Sequence, residues 1–429
     1  MTYHNAIKYI KNAPNITPKD SSAKSRIEKL CSALGDPQKK IKYVRLAGNN
    51  GKSVCAQMMT SILNKAEILS GSLTMPLLSE LRENVKIGGM PLSIEETTAF
   101  TEQIAKAVAA INARCEIEES EKKATFAPTA HEIMLCVALL AFVSHDCKLA
   151  FIESDHNAED PSRFLPAPLS AIICGAIPSD DSDEISKIRS YIQRGINEIT
   201  SVPQDQGAYA IIASTCHSAN CRLTISMPQN AKISSLNLRG TKFSYKGFEY
   251  ALNICGRFQV TNAILAIESA EMLIRNGYKI KKTDIADGLL AVTLPSKFEV
   301  LSILPTIIVD STYSPIAIET VSDSMAELKD ITGAKVRLCL PYGELCEQYI
   351  DALTRRGYII ESIVALSLLD DSDEHASELC GIPITVCKTS KLTAKKALFE
   401  LCADTTLLVS GKANVTEKIR YEILSILSF

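Results

Sequence analysis

The stretch "YVRLAGNNGKSVCAQMM", Tyr43 to Met59, decides how the chain is read. A short apolar run (Val44, Leu46, Ala47) breaks at Gly48 into two asparagines, a second glycine and a Lys-Ser pair. An apolar, helix-compatible segment resumes behind it. Strand, tight turn and helix N-terminus in that order make a cradle for phosphate, because the amides of the turn and the positive helix end face the same anion. Gly48 and Gly51 permit the turn and a close approach, Lys52 would reach β- and γ-phosphates, and Ser53 would offer an oxygen to Mg²⁺. An ordinary P-loop needs glycine where Leu46 stands, so G-N-N-G-K-S is a shortened form. Gly48, Asn49, Asn50, Gly51, Lys52, Ser53 and Val54 are the candidate nucleotide contacts.

At 429 residues the chain exceeds one ordinary core, so at least two domains are expected. A net charge of −3 provides no electrostatic footprint for nucleic acid or an anionic membrane. The opening "MTYHNAIKYIKNAPNITPKD" lacks a signal-peptide pattern. The longest apolar run, Ile133 to Val143, is too short to span a bilayer and reads as a buried helix. Fourteen cysteines are scattered without a C-x-x-C pair, several inside apolar runs (Cys136, Cys174, Cys339, Cys402). They read as reduced core thiols of a cytoplasmic protein.

Strand-like and helix-like segments alternate through most of the chain. "KLAFIES" (148–154), "SAIICGAI" (170–177) and "TIIVDS" (306–311) fit buried parallel strands that deliver polar residues at their C-terminal edges. Helical periods occupy 54–65, 129–145, 184–200 and 259–276. From 208 to 254, "AYAIIAST", "CRLTISM" and "TKFSYKGFEYALNI" suggest antiparallel strands within the same large domain. The prolines of "LPSKFEVLSILP" mark a boundary near 294–305, dividing the chain into 1–297 and 298–429. In the smaller part "KVRLCL", "IIESIVAL", "IPITVC" and "TTLLVSG" read as parallel strands. The expectation is α/β twice over.

The shortened loop resembles that of the folylpolyglutamate synthase/dihydrofolate synthase branch of the Mur ligase superfamily, which reads G-T-N-G-K-G-S. Upstream, "SALGDPQKKIKYVRLAGNNGKS" is similar to the family's entry into that loop. The 47 residues before Gly48 leave no room for the nucleotide-sugar domain of the peptidoglycan relatives, which favours the folate branch. "LTMPLLSELRENVKIGGMPLSIEE" (73–96) parallels T-S-P-H-L, E-R-I and N-G-x-x-I through Thr74, Pro76, Leu78, Glu83 and Gly89. "PTAHE" (128–132) parallels P-T-x-F-E. "LAFIES" aligns the Mg²⁺-binding glutamate with Glu153. "GRFQVTNAILAIESAEML" resembles the adenine-contacting helix, giving Gln259 and Asn262. "LPSKFEV" resembles W-P-G-R-F-E at the interdomain hinge with Lys297 in the arginine position, and "DSTYSP" resembles D-G-A-H-N-P, keeping Asp310 and Pro315. A weaker echo, "LLVSGKANV", lies near 407.

The resemblance implies a P-loop Mur-ligase-type central domain with a mainly parallel sheet, plus a smaller C-terminal Rossmann-like α/β domain. It implies a monomeric ligase that uses ATP and Mg²⁺ to add glutamate to a folate or related pterin carboxylate. Lys52 and Glu153 would be catalytic, Ser53 and Glu153 metal ligands, and Lys297 and Asp310 would close over phosphates and ribose. The departures gather at the chemistry. The family's glycine-rich run after the metal glutamate is here "SDHNAEDPSRFLP" (154–166). The second metal ligand, a histidine, is missing from "CGAIPSDDSDE", where Asp180 or Asp181 could substitute. Gln193 stands in the carbamylated-lysine position of "IQRGI", and glutamine carries no carbamate. The family's Ser, His and Arg fall on Met75, Leu77 and Asn84, and its second-domain His and Asn on Tyr313 and Ser314. Two readings stay open: a ligase with a drifted substrate or metal shell, and a nucleotide-binding paralogue with a regulatory role. His131, His145 and His156 with Asp155, Glu159 and Asp160 suggest a rival metal cluster, but the first two are not at i, i+4 and read as structural or exposed. Asp155 and His156 could instead replace lost ligands, or their loop could block the site.

Overall fold

The computed structural model describes the chain apart from residues 15–21, 49, 76, 79, 119–125, 154–159, 179–181, 194, 312–313, 344, 368–374 and 429. At 22, 115–118, 182–184, 187, 191, 193 and 375–376 the backbone alone is described. Two compact units emerge, Met1–Pro228 with Asn262–Leu289, and Gln229–Thr261 with Leu290–Phe429.

The first unit is built on strands β1 (Tyr43–Ala47), β2 (Ser70–Leu73), β3 (Val85–Ile87), β4 (Met90–Pro91), β5 (Leu149–Glu153), β6 (Ser170–Ile173), β7 (Glu198–Ser201) and β8 (Arg222–Ile225). They lie in the order β4-β3-β2-β5-β1-β6-β7-β8. All neighbours from β2 to β8 are parallel, and β3 and β4 turn back antiparallel at one edge. β1 and β5 are buried along their whole length, as strands covered on both faces must be. The apolar run at 133–143 forms the buried helix Ala130–Ser144, which starts at a capping box between Thr129 and Glu132. Arg26 closes on the same carboxylate with two hydrogen bonds, at 2.9 and 3.2 Å.

This helix presses Phe142 onto Gly71 of β2, where a Cβ would meet the ring at 2.2 Å. Phe142 is fully buried and cannot yield. Gly71→Ala is therefore expected to cost about 1–3 kcal/mol by overpacking, read as a lower urea midpoint.

The middle of the chain departs from expectation. "AYAIIAST" belongs to helix Gln206–Ser218, whose N-cap Asp205 accepts the Ala208 N–H at 2.8 Å. Its buried residues Ala208, Ile212 and Cys216 recur every four positions, a helical stripe that β-branched neighbours obscure. "CRLTISM" supplies β8, parallel to β7 and part of the main sheet. The expected helical period 184–200 ends at Gln193 and its last residues form β7.

The second unit holds a three-stranded antiparallel sheet of β9 (Lys232–Asn237), β10 (Gly240–Tyr245) and β11 (Phe248–Leu252). Its larger sheet comprises β12 (Lys297–Ile303), β13 (Thr306–Asp310), β14 (Lys335–Pro341), β15 (Ile359–Leu366), β16 (His375–Leu379), β17 (Ile382–Cys387) and β18 (Thr405–Ser410). The order is β12-β13-β18-β14-β15-β17-β16, parallel except for the two edge strands. The expected α/β class, with a mainly parallel sheet in each part, is the architecture observed. The division differs from the expected 297/298. Leu238, Cys255 and Phe258 share one core with Phe298, Ile308 and Met325, which draws 229–261 and 290–297 into the C-terminal unit. Among the described residues no helix is long and apolar enough to cross a membrane. The described cysteines are free and mostly buried, although Cys402 is exposed rather than in the core.

Candidate functional site

β1 delivers the glycine turn at its C-terminal edge. Gly48 has φ +96° and Gly51 φ +78°, a left-handed backbone that side chains resist. Helix Lys52–Lys65 begins at once, and Gly51, as its N-cap, brings no side chain to the first amides. Those amides are the donors that an anion satisfies. A Cβ on Gly48 would lie 2.8 Å from the Gly175 nitrogen, and one on Gly51 3.3 Å from the Cys174 oxygen. The turn therefore lies against the backbone that leaves β6. Lys52 is buried and folds back so that Nζ donates to the Gly48 carbonyl at 3.0 Å. Ser53 is half-buried, Val54 buried and Asn50 exposed. The Oδ1 of Asn262 lies 3.4 Å from the Cβ position of Gly51, so this residue of the distant helix Arg257–Arg275 stands at the loop.

Glu153 ends β5, opposite Leu46 of β1 in register, and is buried. Its Oε2 accepts the Met75 N–H at 3.2 Å. Burial pushes the Cys174 thiol well above the ordinary range, helped by its hydrogen bond to Cys55 and the charge of Glu153 and opposed by Lys52. Carboxylate and ammonium thus act on one spot beside the turn. A cradle that a Cβ would fill, one buried ammonium and two hard oxygen donors, Ser53 and Glu153, suit a Mg²⁺-nucleotide.

Asn49, Pro76, Asp155, His156, Glu159, Asp180, Asp181 and Tyr313 lie outside the described residues, as does the side chain of Gln193 at the end of helix Ser182–Gln193. Among the described residues no three His, Cys, Asp or Glu side chains gather to hold a metal. His145 instead pairs with Glu96 at 2.5 Å on a partly exposed surface.

In the second unit Gln259, Lys297 and Asp310 form one hydrogen-bonded junction. Gln259 is fully buried and donates to the Lys297 carbonyl at 3.1 Å. Lys297 Nζ donates to the Ser311 hydroxyl at 2.8 Å, and Asp310 Oδ2 accepts the Phe298 N–H at 2.8 Å. Ser296 and Phe298, both buried, hold left-handed φ of 54° and 58° on either side of Lys297. Sequence reading did not find this strain, nor the Met75 amide on Glu153, since backbone donors leave no trace in residue type. Gly175, in the run "SAIICGAI", was the available sign that another backbone passes close.

No family model matches the chain. The dihydrofolate synthase/folylpolyglutamate synthase of Bacillus subtilis is 26% identical over 320 residues, 70% of this chain and 71% of that protein. The apo form of L. casei FPGS has a similar structure, with TM-score 0.79 at 16% identity over 99% of this chain and 100% of that one. An FPGS–AMPPCP–folate complex is similar at TM-score 0.76 and 17% identity, over 99% and 100% of the two chains. With the loop, the strand-end glutamate and the order of motifs, these relationships make the chain similar to the folylpolyglutamate synthase/dihydrofolate synthase family in sequence and in fold.

Proposed function

We propose that the protein is an ATP-dependent ligase that adds L-glutamate to a folate or dihydropteroate carboxylate through an acyl phosphate. The observation that carries this reading is the glycine turn with Lys52 folded over it, beside the buried Glu153, in a chain of this ancestry. The carboxylate oxygen of the pterin substrate attacks the γ-phosphorus and ADP leaves. The free amine of glutamate then attacks the acyl carbon, phosphate departs, and the nitrogen sheds its proton. Such a transfer depends on position and on neutralised charge. Turn amides and Lys52 bind and orient the phosphates, and the loop position of Asn262 suits a contact to the nucleotide. When bound, Mg²⁺ would be held by Ser53 and Glu153 and would offset phosphate charge. Lys297 and Asp310 are proposed as further nucleotide contacts, and Asp180 or Asp181 as further metal ligands. We place the protein in the cytoplasm as a monomer, a setting in which free thiols persist.

The test is phosphate release from ATP and Mg²⁺ with glutamate plus either dihydropteroate or tetrahydrofolate. Release that requires both glutamate and one pterin is the expected result. Nucleotide binding with no release on any pterin would overturn the ligase and leave a nucleotide-binding paralogue.

A further inference from the structure

We propose that Asn84 is a positioning residue for Glu153, aiming the carboxylate through the turn whose backbone amide holds it. The inference rests on the reading of Glu153 as the Mg²⁺ ligand.

Leu73 ends β2 and pairs with Ile152 in β5, one residue before Glu153, and with Val85 in antiparallel β3. The connection from 74 to 84 therefore leaves and returns at the sheet edge beside the carboxylate. Its ends are tied by the Thr74 N–H donating to the Asn84 carbonyl at 2.9 Å. The Asn84 side chain is fully buried within the connection. Its Nδ2 donates to the Thr74 carbonyl at 2.8 Å, and its Oδ1 accepts the Leu78 N–H at 2.8 Å. One planar amide thus clamps two main-chain groups on either side of Met75. Met75 N–H, held between them, donates to Glu153 Oε2 at 3.2 Å. Leu81, also buried, keeps the turn against the core.

A carboxylate whose one oxygen is engaged by a fixed donor has its rotamer chosen before the metal arrives. Only a short side chain with both a donor and an acceptor serves the two ends of this clamp. Alanine leaves the Thr74 carbonyl and Leu78 N–H unpaired, so the turn relaxes and the Met75 donor drifts. Aspartate keeps the Leu78 contact but sets an oxygen against the Thr74 carbonyl. In each case metal affinity falls while the glycine turn, built from other segments, is untouched.

The experiment compares Asn84→Ala, Asn84→Asp and Glu153→Gln. Calorimetry measures AMPPCP binding in EDTA and then in rising Mg²⁺, and phosphate release yields the half-saturating Mg²⁺. For Asn84→Ala the half-saturating Mg²⁺ should rise about tenfold, with EDTA affinity for AMPPCP unchanged to within about twofold. Asn84→Asp, almost identical in shape, should move the same way and carries the test if the alanine protein does not fold. An unchanged Mg²⁺ dependence in a folded Asn84 variant, while Glu153→Gln shifts it, overturns the positioning role alone. If Glu153→Gln itself leaves the Mg²⁺ dependence unchanged, the metal-ligand reading fails and the proposal falls with it.

Discussion

Replacing Lys52 with alanine is expected to lower ATP-dependent phosphate release by about 10²–10³-fold, or roughly 2.7–4 kcal/mol of transition-state stabilisation. The side chain is only 8% exposed and its ammonium already rests on the Gly48 carbonyl at 3.0 Å. Burial also keeps water from screening the charge, which raises its effect above that of a surface lysine. Lys52→Arg should not rescue, because a planar guanidinium is too broad for a cradle bounded by the Cys174–Gly175 backbone. Calorimetry with ATP separates binding from turnover. Wild-type affinity and wild-type turnover in Lys52→Ala would reject the phosphate role.

Gly48→Ala should remove nucleotide binding and destabilise the first unit by roughly 2–5 kcal/mol, summing left-handed strain and overpacking. The new methyl would approach Gly175 N at 2.8 Å and Gly175 O at 3.1 Å, both backbone atoms. Those atoms belong to the exit of β6, itself paired with β1, so neither side of the clash can retreat alone. Gly51 is a built-in comparison. Its φ is also left-handed, but the nearest atom to its Cβ position is 3.3 Å away, so Gly51→Ala should cost only about 1–2 kcal/mol. Urea unfolding of both variants ranks them. Equal costs would show that the contact with Gly175 carries no weight.

Much of this was legible in residue order. The run Tyr43 to Lys65 specifies its own strand, turn and helix, because each rests on local preference: buried apolar residues, glycine where φ is positive, and a helix-compatible segment behind. Parallel strands β1, β5, β6, β13, β14, β15, β17 and β18 were legible for a similar reason, as short apolar runs, whereas β7 and β8 were not. Helix Gln206–Ser218 was not, since its four-residue stripe is short and is overlaid by β-branched residues that suit a strand equally well. Membership of 229–261 was not legible either, because a core shared with Phe298 and Met325 joins residues far apart in the chain.

By itself, then, the order of residues determined the glycine turn, the α/β class and Lys52 as a candidate, all consequences of neighbours within a few positions, whereas Glu153 entered through the resemblance to the folylpolyglutamate synthase family. Only the tertiary structure decided that Asn262 stands beside Gly51, that Met75 lends its amide to Glu153, and that Gln259 braces the Lys297 backbone. The physical reason is that each of those three depends on groups brought together from separate segments, two of them through main-chain atoms that every residue type possesses alike.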